Sequence, residues 1–194
     1  MDKFVLRLAV VVLGAVAIAS RLVPHEYNFA AFGAFALFCG CFLRGIAAWV
    51  IPLAAYAISE SLGRMIGLPS MSNSLLFSVL LGYTLSVAAG VAVRFLNHSP
   101  KTVASAISPL VGVLVASLVG SIGFFIVTNF ASWLDPRMQY PQTLAGLINS
   151  YVMGIPFYRT TLLSDLVFGQ VFFGSYYVAR AAVASPSRET VDNA

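Results

Sequence analysis

The sequence contains very little charge. Only 9% of its 194 residues are charged, whereas 59% are hydrophobic, and the mean hydropathy is +0.89. A water-exposed surface cannot be assembled from so few polar side chains. The composition therefore excludes a water-soluble globular protein and indicates an integral membrane protein, with the lipid bilayer as a partner.

Catalytic motifs are also missing. The two histidines, His25 and His98, are far apart, and there is no His-Glu-x-x-His pattern, phosphate-binding Gly-Lys-Ser/Thr loop or Gly-x-Ser-x-Gly elbow. Without a phosphate-binding loop the chain cannot hydrolyse ATP alone. The net charge of +4 comes without a basic run, which argues against nucleic-acid binding. We expect no enzyme activity, no catalytic residues and no cofactor.

Cysteine is scarce. Cys39 and Cys41 form a Cys-Gly-Cys step inside an apolar segment. A disulfide between them would be strained, and two ligands do not complete a zinc site. Small apolar residues at a helix interface are the favoured interpretation. Contact of one thiolate with a ligand or a metal is the alternative, which makes both cysteines weak metal candidates.

Long apolar stretches are abundant instead. They predict an all-α fold, an integral membrane six-helix bundle formed by residues 1–184 as a single domain, and a disordered polar tail at 185–194. The predicted helices are Phe4–Val23, Phe29–Leu43, Ile46–Leu62, Leu75–Phe95, Val103–Phe130 and Leu162–Val183. The first run is long enough to span, so we expect it to be retained as a helix rather than removed as a signal peptide.

A further apolar stretch, Thr143–Tyr158, precedes the last predicted span. It is too short to cross a bilayer, too apolar for water, and interrupted by Gly and Pro. This pattern predicts a re-entrant or interfacial half-helix that caps a cavity.

The distribution of Lys and Arg predicts the orientation. With the N-terminus inside, seven cations face the cytoplasm and four face outward, namely Arg21, Arg64, Arg137 and Arg159. The positive-inside rule therefore places both termini in the cytoplasm. The long segment Asn129–Thr161 then lies at the outer face.

Polar and aromatic side chains concentrate toward this outer face. Sparse polar groups among apolar walls are typical of a small-molecule pocket. The residues predicted to bind substrate are Asn28, Glu60, Asn129, Trp133, Tyr140, Tyr151, Arg159 and Asp165. The aromatic members would wall the ligand, and the polar members would hydrogen-bond to it.

Structural alternatives exist for several of these residues. Glu60 could pair with Arg64, and Asp165 with Arg159, because a carboxylate near hydrocarbon is costly without a partner. Trp133 and Tyr140 could belong to the interfacial aromatic belt.

Small residues recur four apart in the first helix. Ala15 and Ala19, with Gly14 beside them, form a step that lets two backbones approach closely. The step serves either packing within the bundle or docking onto another membrane protein.

A spaced set of motifs resembles a family of uncharacterised six-helix bacterial membrane proteins. The set covers most of residues 20–174 and comprises Arg21-Leu-Val-Pro-His25, Asn28-Phe29, Pro52-Leu, Ser59-Glu60, Thr128-Asn129-Phe130, Tyr140-Pro141, Ile155-Pro156-Phe157 and Asp165-Leu166. Glu60 stands where that family usually has Asp, which leaves a ligand role for this longer side chain open. The family in turn is similar to the substrate-binding S components of energy-coupling factor (ECF) vitamin transporters.

This resemblance implies a function. It implies binding and uptake of a small organic micronutrient, a vitamin or cofactor precursor, from the outer face of a bacterial inner membrane. It also implies docking through Ala15 and Ala19 onto an energising transmembrane and ATPase module. The rival interpretations are a non-catalytic structural or assembly subunit of a larger membrane complex and a membrane enzyme that acts on lipid.

Overall fold

The computed structural model describes residues 3–23, 28–98 and 109–184, and these form six α-helices and one short 3-10 helix, with no strand. The helices are α1 (Lys3–Leu22), α2 (Phe32–Phe42), α3 (Ala47–Met65), α4 (Asn73–His98), α5 (Pro109–Leu134) and α6 (Leu144–Ala184). The 3-10 helix, Pro136–Met138, lies between α5 and α6. The predicted all-α fold with six helices is confirmed. The predicted tail and residues 103–108 of the predicted fifth helix lie outside the described residues.

The bundle has two ends. At one of them, which we call the Asp135 end, α3 and α5 stop and α4 and α6 begin. At the opposite end, the Arg44 end, α2 turns into α3. This turn needs Gly45, whose φ of 62° is a backbone conformation that other residues rarely adopt.

Helix α2 forms the centre of the bundle. It contacts each of the other five helices, and all of its eleven residues except Phe42 are buried. Its sequence contains only Phe, Gly, Ala, Leu and Cys, so it presents an apolar surface on every side. A helix that is apolar all round is suited to burial, and here protein rather than lipid surrounds it.

Two glycines bring α2 against α4. A Cβ atom on Gly40 would overlap the carbonyl oxygen of Val87 and lie 3.0 Å from its carbonyl carbon. Reciprocally, a Cβ atom on Gly90 would overlap the carbonyl oxygen of Leu37. The two backbones are therefore in direct contact, as small residues permit in membrane bundles.

Helix α2 starts near the middle of the bundle. The Phe32 ring lies 5.8 Å from the Tyr83 ring. Tyr83 is about ten residues, or roughly 15 Å, along α4 from the Asp135 end. The Ala31 N–H bonds to Ser20, close to the end of α1. The Asp135 end is consequently built from α3 to α6 and their connections, without a central helix.

The prediction of six membrane-crossing stretches is too high. Within the part of the chain that the structure describes, four helices are long and apolar enough to cross a membrane, namely α1, α4, α5 and α6. Helix α2, with eleven residues, is about 16 Å long, against a hydrocarbon thickness of about 30 Å. Helix α3 is not among the four, and its second half carries Glu60 and Arg64. Apolar sequence in α2 reflects burial in protein rather than contact with lipid.

The predicted re-entrant or interfacial half-helix is not a separate element. Leu144–Tyr158 is helical, but it is continuous with the last span in a single helix of 41 residues, with Pro156 inside it. Proline removes one backbone donor without ending a membrane helix whose neighbours pack around it. Nearby, the hydroxyl of Thr161 donates to the Phe157 carbonyl at 3.0 Å. The stretch is the first part of α6 and not a separate re-entrant half-helix.

Candidate functional site

The side chains predicted to bind a ligand have their contacts on several different elements. Glu60 belongs to a charged cluster between α1 and α3. Asp165 lies at the start of α2. Arg159 lines a groove together with Phe29, the neighbour of Asn28. The remaining predicted residues, Asn129, Trp133, Tyr140 and Tyr151, lie on or between α5 and α6.

Glu60 is buried and holds two guanidinium groups. Its carboxylate accepts hydrogen bonds from Arg21 of α1 and from Nε of Arg64 at 3.1 Å. Arg21 also lies over the ring of Tyr56, 5.0 Å from the centroid. The pairing with Arg64 is thus present, and a ligand contact of Glu60 stays a prediction. No local pattern indicated Arg21 as a partner of Glu60, because the two residues are 39 positions apart in the chain.

The two arginines are expected to contribute unequally to stability. The side chain of Arg64 is 47% exposed and that of Arg21 only 16%. Exposed ion pairs contribute at most about 1 kcal/mol, whereas breaking a buried pair costs about 3–5 kcal/mol. Arg21→Gln should therefore lower the thermal unfolding temperature in detergent clearly more than Arg64→Gln. Equal losses would contradict a difference based on burial.

Asn129 and Tyr151 join α5 to α6. The Asn129 amide donates to the Phe125 carbonyl at 2.8 Å, and a Cβ atom on Gly154 of α6 would overlap its Oδ1. The Tyr151 hydroxyl donates to the Ile126 carbonyl at 2.9 Å. These polar groups therefore have partners within the protein, and their contact with a ligand stays a prediction.

Trp133 and Tyr140 flank the loop between α5 and α6. The Trp133 indole N–H donates to the Pro141 carbonyl at 2.9 Å, and the Gln142 amide donates to the Trp133 carbonyl at 2.7 Å. Tyr140 is half-buried in the same loop. Both aromatic residues lie at the Asp135 end, a position compatible with an aromatic belt as well as with a ligand wall.

Asp165 caps the start of α2. This buried carboxylate of α6 accepts a hydrogen bond from the N–H of Ala34, in the first turn of α2. The helix has no side-chain cap of its own at Ala31. A Cβ atom on Gly33 would lie 2.6 Å from the Asp165 carboxyl carbon, so only glycine permits this approach. A carboxylate at a helix start satisfies free N–H groups and complements the helix dipole.

Arg94 occupies the opposite end of α2. Its guanidinium group donates to the carbonyl of Leu43, the C-terminal capping residue. The central helix is therefore held by a carboxylate at its start and a cation at its end, contributed by α6 and α4. The sequence indicated Arg94 only as a topology signal, because its distance in sequence from Leu43 hides the contact.

A groove at Arg159 contains a predicted site residue. It has a volume of about 370 Å³ and is lined by Phe29, Arg159, Thr160 and Leu163. Arg159 is exposed, whereas Asp165 is buried, and among the described residues no ion pair joins them. The predicted alternative of an Arg159–Asp165 pair is therefore wrong. Their spacing of six residues turns the two side chains to different faces of α6.

Asp135 organises the end of the bundle that carries its name. Its carboxylate accepts hydrogen bonds from the hydroxyls of Ser72 and Ser74 and from the N–H of Arg137. Ser72 in turn accepts a hydrogen bond from the Leu75 N–H in the first turn of α4. The bond from Ser72, followed by that from the Arg137 N–H, lowers the pKa of Asp135 from 3.8 to about 2.

This pKa predicts how stability depends on pH. Because the folded pKa is below the unfolded one, the contribution of Asp135 is complete above about pH 4 and is lost as the pH falls toward about 2. Asp135→Asn should therefore unfold at a lower temperature than the unmodified protein at pH 7, and the difference should shrink across this window. A difference that is constant with pH would contradict the assignment.

The remaining predicted residues have distinct environments. Ala15 and Ala19 are exposed on α1, on the side that faces away from the bundle. Cys39 and Cys41 are free and buried in α2. Within the described residues no group of three or more His, Cys, Asp or Glu side chains could hold a metal ion.

Comparison with known proteins identifies the family. Residues 2–187 match the model of a family of unknown function, DUF6580, and the chain belongs to this family. No curated protein and no solved structure matches the chain.

Proposed function

We propose that the protein binds a small organic micronutrient, such as a vitamin or cofactor precursor, and mediates its uptake in the manner of an ECF S component. The observation that carries the proposal is the groove of about 370 Å³ at Arg159. This volume lies within the range of small-molecule sites, and its mixture of apolar walls with one cation and one hydroxyl is typical of them.

The position of the groove supports the proposal. Arg159 precedes Asp165 by six residues, so it lies about 9 Å beyond the start of α2 toward the Asp135 end. The central helix is absent from this part of the bundle. Binding sites of membrane transporters are commonly found near mid-membrane, beside helices that do not cross completely. We propose that the Asp135 end faces outward and admits the ligand.

The exposed face of α1 supports the proposed partner. Ala15 and Ala19 are small side chains that are exposed on α1. Small residues permit close packing against a second membrane protein. We propose this face as the docking surface for an energising transmembrane and ATPase module.

A structural or assembly subunit is the second candidate. It is favoured by the internal partners of Glu60, Asn129, Trp133 and Tyr151, which need no ligand to satisfy their polar atoms. Mass spectrometry of small molecules that co-purify with the protein separates the two: uptake requires a bound compound, and a packing subunit carries none.

Filling the groove tests the proposal directly. Leu163→Trp should abolish the thermal stabilisation that the co-purified compound confers, because a ligand bound to the folded state alone raises apparent stability. Val171→Trp is the matched control, since Val171 lies on the same helix, is also 55% exposed and is not among the residues that line the groove. Loss of binding in both variants, or in neither, would contradict a site at Arg159.

A further inference from the structure

The cations at the Asp135 end are paired with carboxylates, with one exception. Arg21 and Arg64 share Glu60, and Arg137 lies 3.5 Å from Asp135. Among the residues that the structure describes, Arg159 has no ion pair or hydrogen bond from its guanidinium group. No described carboxylate neutralises its charge, and Arg159 lines the groove.

The described carboxylates are all committed elsewhere. Glu60 bonds to two arginines, Asp135 to two serines and Arg137, and Asp165 to the first turn of α2. These are the Asp and Glu residues within 3–23, 28–98 and 109–184. To neutralise Arg159, each of these carboxylates would have to give up one of its present hydrogen-bond partners.

The location of Arg159 makes an unpaired charge costly. It lies within α6, in the segment Leu144–Val183, which is apolar enough to cross a membrane. A cation in or near hydrocarbon must reach toward the interface or find an anion. The guanidinium fork matches the two oxygens of a carboxylate or phosphate group, and hydrogen bonds between charged groups are the stronger kind.

From this arrangement we infer that the ligand of the groove carries a single acidic group, a carboxylate or phosphate, which Arg159 binds, while its apolar part lies against Phe29 and Leu163. The inference rests on the proposed function and defines the chemical class of its ligand. Recognition of the acid explains how one groove combines a cation with apolar walls.

Matched acid and amide probes test the inference. Nicotinate with nicotinamide and biotin with biotin amide differ in the acidic group but retain the same ring system. The purified protein should bind the acid of at least one pair roughly ten- to hundredfold more tightly than its amide, since a hydrogen bond to a charged group contributes about 1.5–3 kcal/mol. Arg159→Gln should remove this preference, and Arg159→Lys should retain part of it.

Arg44→Gln is the matched control. Arg44 is also exposed and, within the described chain, its guanidinium group also has no ion pair or hydrogen bond, but it lies in the turn at the opposite end of the bundle. The variant removes the same charge and should leave acid binding unchanged. Each variant is first compared with the unmodified protein by size-exclusion chromatography to confirm that it is folded.

The outcomes separate this inference from the proposed function. Equal binding of acid and amide, or a preference that survives Arg159→Gln, would overturn the inference and leave uptake standing. Failure of every soluble acid and of anionic lipid to bind would overturn both. Native mass spectrometry in bilayers with and without phosphatidylglycerol identifies the source of the anion. Retention of this anionic lipid through Arg159, without binding of soluble acids, would support the oxyanion site and contradict micronutrient binding.

Discussion

Gly40→Ala and Gly90→Ala are each expected to abolish the folded bundle. Either Cβ atom would overlap a carbonyl oxygen of the facing helix, and neither α2 nor α4 can move away without opening the core. Overpacking usually costs about 1–3 kcal/mol, and a clash between two backbones places these variants above that range. The measurement is the fraction of monodisperse protein after extraction in mild detergent, followed by thermal unfolding of any soluble fraction.

Gly174→Ala is the matched control for this prediction. Gly174 is also helical and lies in α6, but a Cβ atom there meets nothing within 4 Å. Alanine favours the helix by roughly 0.5–1 kcal/mol over glycine, so this variant should be as stable as the unmodified protein or slightly more stable. Tolerance of alanine at Gly40 or Gly90 would show that the two helices do not touch as described.

Asp165→Ala has the second largest expected effect. The substitution leaves the first turn of α2 without its acceptor inside the bundle, where water cannot replace it. A buried unsatisfied donor costs about 1–3 kcal/mol, and loss of an N-terminal cap costs up to about 2 kcal/mol. We expect a loss of about 2–4 kcal/mol in the free energy of unfolding, measured by denaturant titration in mixed micelles.

Asp165→Asn distinguishes capping from ligand binding. The amide oxygen can still accept the Ala34 N–H bond, so most of the stability should remain. If Asp165 also bound the ligand through its charge, Asp165→Asn would lower ligand affinity while the protein stayed folded. An Asp165→Ala protein as stable as the unmodified one would exclude the capping role.

Helix formation could be predicted from local sequence, whereas the burial of each helix could not. Apolar runs predict α1, α4 and α5 because their hydropathy extends over the thickness of a bilayer. The same criterion fails for α2, because helices buried in protein and helices facing lipid have the same apolar composition. It also fails at Pro156, where helix continuity depends on packing by the neighbouring helix.

The candidate site also combines features that local sequence indicates with features that only the tertiary structure decides. Polar residue types in an apolar chain were enough to single out Glu60, Arg159 and Asp165 as unusual. Their different roles depend on the facing element: Glu60 meets Arg21 of α1, Asp165 meets the start of α2, and Arg159 meets a groove. Contacts between residues distant in the chain carry no local signal, so the partners of these three side chains could not be predicted from the sequence.

Membrane insertion and helix number follow from hydropathy summed along the chain, a property that is independent of how the helices meet. The arrangement of charges follows from how the helices pack, because the short central helix needs a carboxylate and a cation at its ends. Asp165 and Arg94 supply them. Of the other described carboxylates, Glu60 and Asp135 pair with neighbouring arginines, and Arg159 lies beside the groove. Electrostatic pairing acts over a few ångströms in space, and only the folded chain defines those distances.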